Sequence, residues 1–423
     1  MTTQAMVGGI SARGTLAKGT LGERRYDLDW VRIGAFMLLI FYHVGMYYVT
    51  WDWHVKSPHA SETIEPLMML TNPWRLSLLF LISGVATGYL LDRQGVRGFL
   101  GQRSVRLLIP LLFGMAVIVP PQSYLQVVEK LGYAGSYVDF LRLYFAAYHG
   151  FCQGSDCLIL PTWNHLWFVA YLWVYTVVLY IGVRIIPGIP AALRGFAERR
   201  LAGVGVLVWP AVYLVLARAA LVGIFPATYA LVGDWYNHAV YGAVFLLGFS
   251  LAGTRGPWIT LERARWGALG VAVLGWAYLC VYKGIYEHAA EVPRLAWMTA
   301  RVIYGVEQWS AIAAVLGFAR RHLVHDSAAR RYLTTAIFPV YILHQTIIVV
   351  CAHSLQPAHL DPGVEGPLLV LVTAVLSFLG YEVIRRIRWV RPLFGLAVES
   401  EPQAAPARKL RPLAATWAPQ DIN

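Results

Sequence analysis

The chain reads as an all-α, polytopic transmembrane helical bundle of about ten spans with both termini cytoplasmic. Three features predict this. Of 423 residues, 58% are hydrophobic and only 14% charged, against roughly 25% charged in an ordinary soluble domain. Apolar runs recur near 30–49, 72–91, 105–121, 165–184, 201–221, 236–254, 265–282, 301–319, 333–352 and 367–385, each close to the ~17–25 residues that cross a ~30 Å hydrocarbon core. Arginine and lysine collect between alternate runs, as the positive-inside rule requires of membrane helices.

The elements follow in order. Residues 1–25 are rich in Gly and Thr, carry basic residues, and are expected to form a cytoplasmic tail with no cleavable secretory signal. The first run, YDLDWVRIGAFMLLIFYHVGMYYV, is long enough to stay in the membrane as a signal anchor. The second run holds Ser83-Gly84, a small-residue packing contact rather than a nucleophile. A long loop from about 122 to 164 is expected to form a small cap on the outer side. Within it, FCQGSDC brings Cys152 and Cys157 close in sequence; a disulfide and two free thiols both fit, and a zinc site lacks a further Cys/His pair. Cys280 and Cys351 lie in spans and read as packing residues. Residues 26–395 form one membrane domain, with no internal repeat. Residues 396–423, rich in Pro, Ala and charge, read as a disordered cytoplasmic tail.

Charge placement sets the topology. Arg93, Arg97, Arg103 and Arg106 follow the second run, Arg184, Arg194, Arg199 and Arg200 the fourth, and Arg255, Arg263 and Arg265 the sixth. Arg320, Arg321, Arg330 and Arg331 follow the eighth, and the segment after the tenth is again basic, whereas the loops near 222–235 and 353–366 have no Lys or Arg. Most of the excess behind the formal net charge of +12 is thereby accounted for by topology, and nucleic-acid binding has little left to rest on. Trp30, Trp51, Trp53, Trp74 and Trp163 fall where an interfacial aromatic belt would sit.

Ionisable residues inside spans are expensive and mark sites. Arg32 and His43 are eleven positions apart in the first span, about 20° past three full helical turns and roughly 16 Å of rise, so they share one face. Asp29 precedes Arg32 by three positions and can pair with it or serve as a first-turn acid facing the helix dipole. Arg103 and Arg106 project together at the entry to the third span. Arg75 begins the second span on the outer side, where Asn164 and His165 open the fourth. Glu307 lies within the eighth span and needs a partner from another helix or a proton. His344, with Gln345, occupies the middle of the ninth. Each of these fits a structural hydrogen bond as well as a functional role.

Five blocks in order are similar to the acyltransferase-3 family of integral membrane acyltransferases, above all its glucan-modifying branch: YDLDWVR with ten residues before a histidine, PWRLSLLFLISG, FLGQRSVRLLIPLLFG with its Arg-x-x-Arg pair, HLWFVAYLWVY, and FPVYILHQTIIV. The likeness covers about 25–395. It departs from other branches in carrying PWRLSL where they have a Gly-Val-Asp-type lead, and in lacking a fused hydrolase-like domain.

The resemblance implies a bacterial inner-membrane enzyme that moves an acyl group from cytoplasmic acyl-CoA to a hydroxyl of an extracytoplasmic carbohydrate, with membrane lipid as its surroundings and no metal. The donor would be acetyl-CoA or succinyl-CoA. Histidine suits proton transfer near neutral pH, so His43 is the expected general base. Arg32, with Asp29, would position the donor, and Arg103 and Arg106 would hold coenzyme A phosphates through their planar forks. Arg75, His165, Glu307 and His344 are candidates for substrate binding, Arg75 toward the acceptor or the carboxylate of a succinyl donor. The competing class is a transporter without acyl-transfer chemistry, which predicts two related halves with paired broken helices; neither is evident in the sequence.

Overall fold

A computed structural model describes residues 25–154 and 156–398; the expected tails, 1–25 and 396–423, lie outside the described residues except for 25 and 396–398. The helices are α1 (Tyr26–Tyr48), α2 (Glu65–Met69), α3 (Arg75–Phe113), α4 (Pro120–Leu131), α5 (Tyr137–Phe145), α6 (Trp167–Ile185) and α7 (Ile189–Arg200). They continue as α8 (Gly205–Leu221), α9 (Trp235–Asn237), α10 (Ala243–Leu251), α11 (Gly256–Tyr286), α12 (Arg294–His322), α13 (Ala328–Leu355) and α14 (Pro362–Ile384). Among the described residues the only strands are the two-residue pair Cys152–Gln153 and Asp156–Cys157.

Seven helices are long and apolar enough to cross a membrane, or eight if α7 and α8, bent by 108°, count as one. The expected second and third spans correspond to the two halves of α3. Gly95 breaks this helix with φ 66° and ψ 176°, a conformation that only glycine adopts cheaply. Arg103 Nη2 donates to Thr87 Oγ1 at 3.3 Å across sixteen residues, a separation that a straight helix would stretch to roughly 24 Å. The chain therefore doubles back at Gly95. The expected span near 236–254 is α9, a π turn over His238–Gly242, and α10.

Two of the long helices begin at side-chain caps. Ser327 caps α13 by accepting from Arg330 N–H, and Asp361 caps α14 by accepting from Gly363 N–H at 2.8 Å with Pro362 at the first position. The core is aromatic where α3, α6 and the π turn meet. The Phe80 ring lies 4.6 Å from that of Phe168 and 4.8 Å from that of Tyr241. Glycines then let α10 approach α3 backbone to backbone. A Cβ on Gly84 would stand 2.0 Å from the Phe245 carbonyl oxygen, and one on Gly248 2.0 Å from that of Leu81.

Helices α1 and α13 run parallel at a constant offset. Arg330 of α13 pairs with Asp29 of α1, Arg32 Nη2 donates to the Thr334 carbonyl at 3.0 Å, and His43 meets His344; the sequence separations are 301, 302 and 301. The long loop is an ordered cap, as expected. It consists of α4, α5 and the strand pair, closed by the Cys152–Cys157 disulfide and filled by Val127, Phe140, Tyr144, Phe151 and Leu160.

Gly84→Ala forces its methyl against a carbonyl that cannot move without moving α10. It should lower stability by about 1–3 kcal/mol, read as a fall in unfolding temperature in detergent, whereas Gly98→Ala, where nothing lies within 4 Å of a new Cβ, should not.

Candidate active site

All but one of the expected site residues fall into two groups at opposite ends of α1. At one end His43 Nδ1 lies 2.8 Å from His344 Nε2, the two rings stacked at 5.0 Å and 19°. Trp53, from the loop after α1, has its ring nearly parallel to that of His43, at 6.4 Å and 17°. His344 is buried, and its Nδ1 lies 2.6 Å from the Tyr341 carbonyl.

That carbonyl settles the proton positions. A carbonyl only accepts, so His344 Nδ1 carries the hydrogen, and the Nε2 of a neutral His344 is an acceptor. His43 Nδ1 must then be the donor between the two rings. A neutral His43 is left with a bare lone pair on Nε2, for which the described residues provide no hydrogen-bond partner. His43 is half-buried where His344 is closed off, so that lone pair is the accessible base of the cluster.

Polar neighbours from the cap and from α13 support the pair. His165 Nε2 donates to the Ile342 carbonyl at 3.0 Å, and its ring stands edge-on to His344 at 5.3 Å. Gln122 of α4 accepts from Asn164 Nδ2 at 3.1 Å and from Gln345 Nε2 at 3.0 Å, and donates to Thr346 Oγ1 at 2.6 Å. His54 donates from Nδ1 to Gln126 Oε1 at 2.7 Å and accepts at Nε2 from Gln345 at 2.9 Å. Lys56 folds the same loop onto the end of α1 by donating to the carbonyls of Met46, at 2.7 Å, and Val49.

Arg75 sits one layer away. Its guanidinium lies 3.3 Å above the ring of Tyr42 and donates to Asn72 Oδ1 at 2.9 Å; the same oxygen accepts from Tyr42 O–H at 3.0 Å. It is 6% exposed, has no carboxylate partner among the described residues, and its Nε is buried without a hydrogen bond. It lies within electrostatic reach of His43.

At the other end of α1, Arg103 is within electrostatic reach of Arg106 and Arg32. The folding-back at Gly95 brings these cations together. Arg106 donates to the Gly395 carbonyl at 3.2 Å, and neither Arg103 nor Arg106 has a carboxylate partner among the described residues. Asp29 meets Arg330, itself 1% exposed and also bound to Asp326 at 2.8 Å. Glu307 joins neither group. It is buried against Gly275 of α11, and the hydrogen-bond partner expected from another helix is absent for its Oε2 among the described residues.

Sequence reasoning missed Trp53, His54, Gln122 and Gln126. Trp53 read as a belt residue, and the Gln122/Gln126 pair, four apart on one face of α4, was the one local signal available.

The structure is thus an apolar helical bundle with stacked imidazoles at one end and guanidiniums gathered at the other. Residues 25–382 match the family described as an acyltransferase domain, and the chain belongs to that family; it is an O-acyltransferase. The chain is similar to glucans biosynthesis protein C of Escherichia coli K12 and of E. coli O81, each 25% identical over 407 residues that span 91% of this chain and 98% of the relative. The counterpart in E. coli O139:H28 is 26% identical over the same extent. No solved structure matches the chain.

His54 lies outside the spans, and burial, partly offset by its bond to Gln126, pushes its pKa down to about 4. The unfolded chain therefore binds this proton first, near its ordinary 6.5, so the native state gains stability above about 6.5 and loses it as the pH falls toward 4. Unfolding in detergent should occur at a lower temperature at pH 5 than at pH 7.5, and His54→Asn should shrink that difference. An equal difference in the variant would assign the loss to other groups.

Proposed function

We propose that this protein transfers an acyl group from acyl-CoA, bound at the cytoplasmic side of a bacterial inner membrane, to a hydroxyl of an extracytoplasmic glucan. The observation that carries this reading is the bare Nε2 of His43, held in its tautomer by His344 and the Tyr341 carbonyl. In the reaction His43 Nε2 takes the proton of the acceptor hydroxyl as its oxygen attacks the thioester carbonyl. The C–S bond then breaks, the new C–O ester bond remains, and the imidazolium returns its proton to the departing thiolate. His344 accepts the Nδ1 hydrogen throughout and keeps the ring oriented; it is a positioning residue.

The donor's phosphates bind at Arg32, Arg103 and Arg106, where guanidinium forks can take them bidentately. The roughly 16 Å of helix between Arg32 and His43 is comparable to the reach of an extended pantetheine arm, so the nucleotide stays in the cytoplasm while the thioester reaches His43. Arg75 favours a dicarboxylic acyl group such as succinyl, since a buried cation with no carboxylate of its own gains most from one on the substrate. The glucan acceptor is supported by the relatives, which are named as glucans biosynthesis proteins. Counting the halves of α3 as two spans, the α7–α8 pair as one and α9–α10 as one gives ten, an even number that leaves both termini in the cytoplasm together with the basic loops.

The test is coenzyme A release by purified protein in lipid, given acetyl-CoA or succinyl-CoA with a glucan fraction. Release should require glucan and fall by about 10²-fold or more in His43→Ala; wild-type release no faster than the variant's with either donor would sink the reading. Arg75→Gln should raise KM for succinyl-CoA by about tenfold, the loss of one charge-assisted contact, and leave acetyl-CoA nearly unchanged. Equal effects on both donors would remove Arg75 from donor selection.

A further inference from the structure

A cavity of about 520 Å³ lies at the His43 end of the bundle, between the C-terminal ends of α8 and α11, the start of α12 and the segment that joins α1 to α3. Its size falls within the roughly 300–1,000 Å³ of small-molecule sites. Three observations describe what it would take.

Aromatic side chains make up part of the lining, among them Tyr286, Trp297 and Tyr304. Their ring faces suit the apolar C–H face of a pyranose, whose hydroxyls point outward to water and to polar side chains.

The charge is unbalanced. Lys283 is neutralised by Glu65, at 2.6 Å, and by Glu287. Arg218 and Arg301 are not: neither has a carboxylate partner among the described residues. Arg218 lies 3.4 Å over Tyr304 and donates to Tyr236 O–H at 2.9 Å, while its Nε is buried with no hydrogen bond. Arg301 lies 3.4 Å over Trp297 and donates to the Ala219 carbonyl at 3.2 Å. Each guanidinium is thus stacked and oriented with donor capacity to spare.

The cavity adjoins the layer that holds Arg75. Asn72 lines it, and the Asn72 oxygen is the one that accepts from both Arg75 and Tyr42, the neighbour of His43.

We infer that this cavity is the acceptor subsite, and that it binds a saccharide bearing an anionic substituent, with sugar rings on the aromatic walls and the anion on Arg218 and Arg301. The inference rests on the acyl-transfer reading for its link to His43, but binding can be measured with no donor present. The alternative occupant, a phospholipid headgroup, would satisfy the two cations but leave the aromatic walls and the path to Asn72 without a use.

The probes are a β-glucan hexasaccharide and the same hexasaccharide oxidised to carboxylates at its primary hydroxyls, titrated calorimetrically into the full-length protein in nanodiscs. Wild type should bind the oxidised form about tenfold more tightly, the scale of one charge-assisted contact. Arg218→Gln and Arg301→Gln should each reduce that preference, with the neutral form changing less than about twofold on the same scale. Arg301→Lys, which keeps the charge, should retain part of it, and Trp297→Leu should weaken both forms.

Equal binding of the two sugars by wild type, or a preference that survives both Gln substitutions, overturns the inference. So does loss of co-purifying anionic phospholipid from the Arg variants with no change in sugar affinity, which identifies a headgroup site. Charge-selective binding by a protein that releases no coenzyme A would leave the cavity assignment standing and remove the acyl-transfer reading. Transfer with unselective binding would do the reverse.

Discussion

The parallel contact between α1 and α13 is the constraint on which the rest of the site depends. It is fastened at one end by Asp29 on Arg330 and Arg32 on the Thr334 carbonyl, and at the other end by the two histidines. An ion pair that buries Arg330 almost completely tolerates no slippage, because sliding by one residue would strand a guanidinium away from its carboxylates. The same offset that satisfies Arg330 delivers His344 to His43. Packing at the cation-rich end and proton placement at the other are therefore set by one register.

A second layer surrounds this pair and is built from segments that are short, polar and distant in sequence. The loop after α1 contributes Trp53 and His54, the cap contributes Gln122 and Gln126, and the turn before α6 contributes Asn164 and His165. Glu65 ties that loop to the far side of the bundle. Buried completely, it accepts from Thr50 N–H at 3.0 Å and Trp51 Nε1 at 2.9 Å and pairs with Lys283 of α11. Trp51 and Lys283 also line the aromatic cavity, so one carboxylate braces both the loop that carries Trp53 and the wall of the cavity beside it.

How much of this was legible in the sequence depended on the distance over which the information was written. The shared face of Arg32 and His43 follows from helix geometry alone, and the apolar runs disclosed the helices because membrane burial imposes a local rule on length. His344 was visible as an imidazole in the middle of a span, but its partner was not: the pairing spans 301 residues, and no periodicity reaches that far. The reversal at Gly95 was half-written in LDRQGVRG, where polar residues interrupt two apolar runs. Trp53 read as a belt residue and His54 gave no signal, because their roles exist only once the cap folds over them, and Arg218 and Arg301 became a pair only when α8 and α12 met.

The rod formed by α1 also acts as a ruler cut to one length. Its two marks, Arg32 and His43, are read simultaneously by α13, so a single residue inserted between them would turn His43 by about 100° away from His344 while leaving Arg32 in place. Four inserted residues would come within about 40° of the original face but lengthen the rod by roughly 6 Å, beyond what a fixed opposing helix can follow. Along this stretch substitutions are negotiable side chain by side chain, whereas insertions and deletions are not.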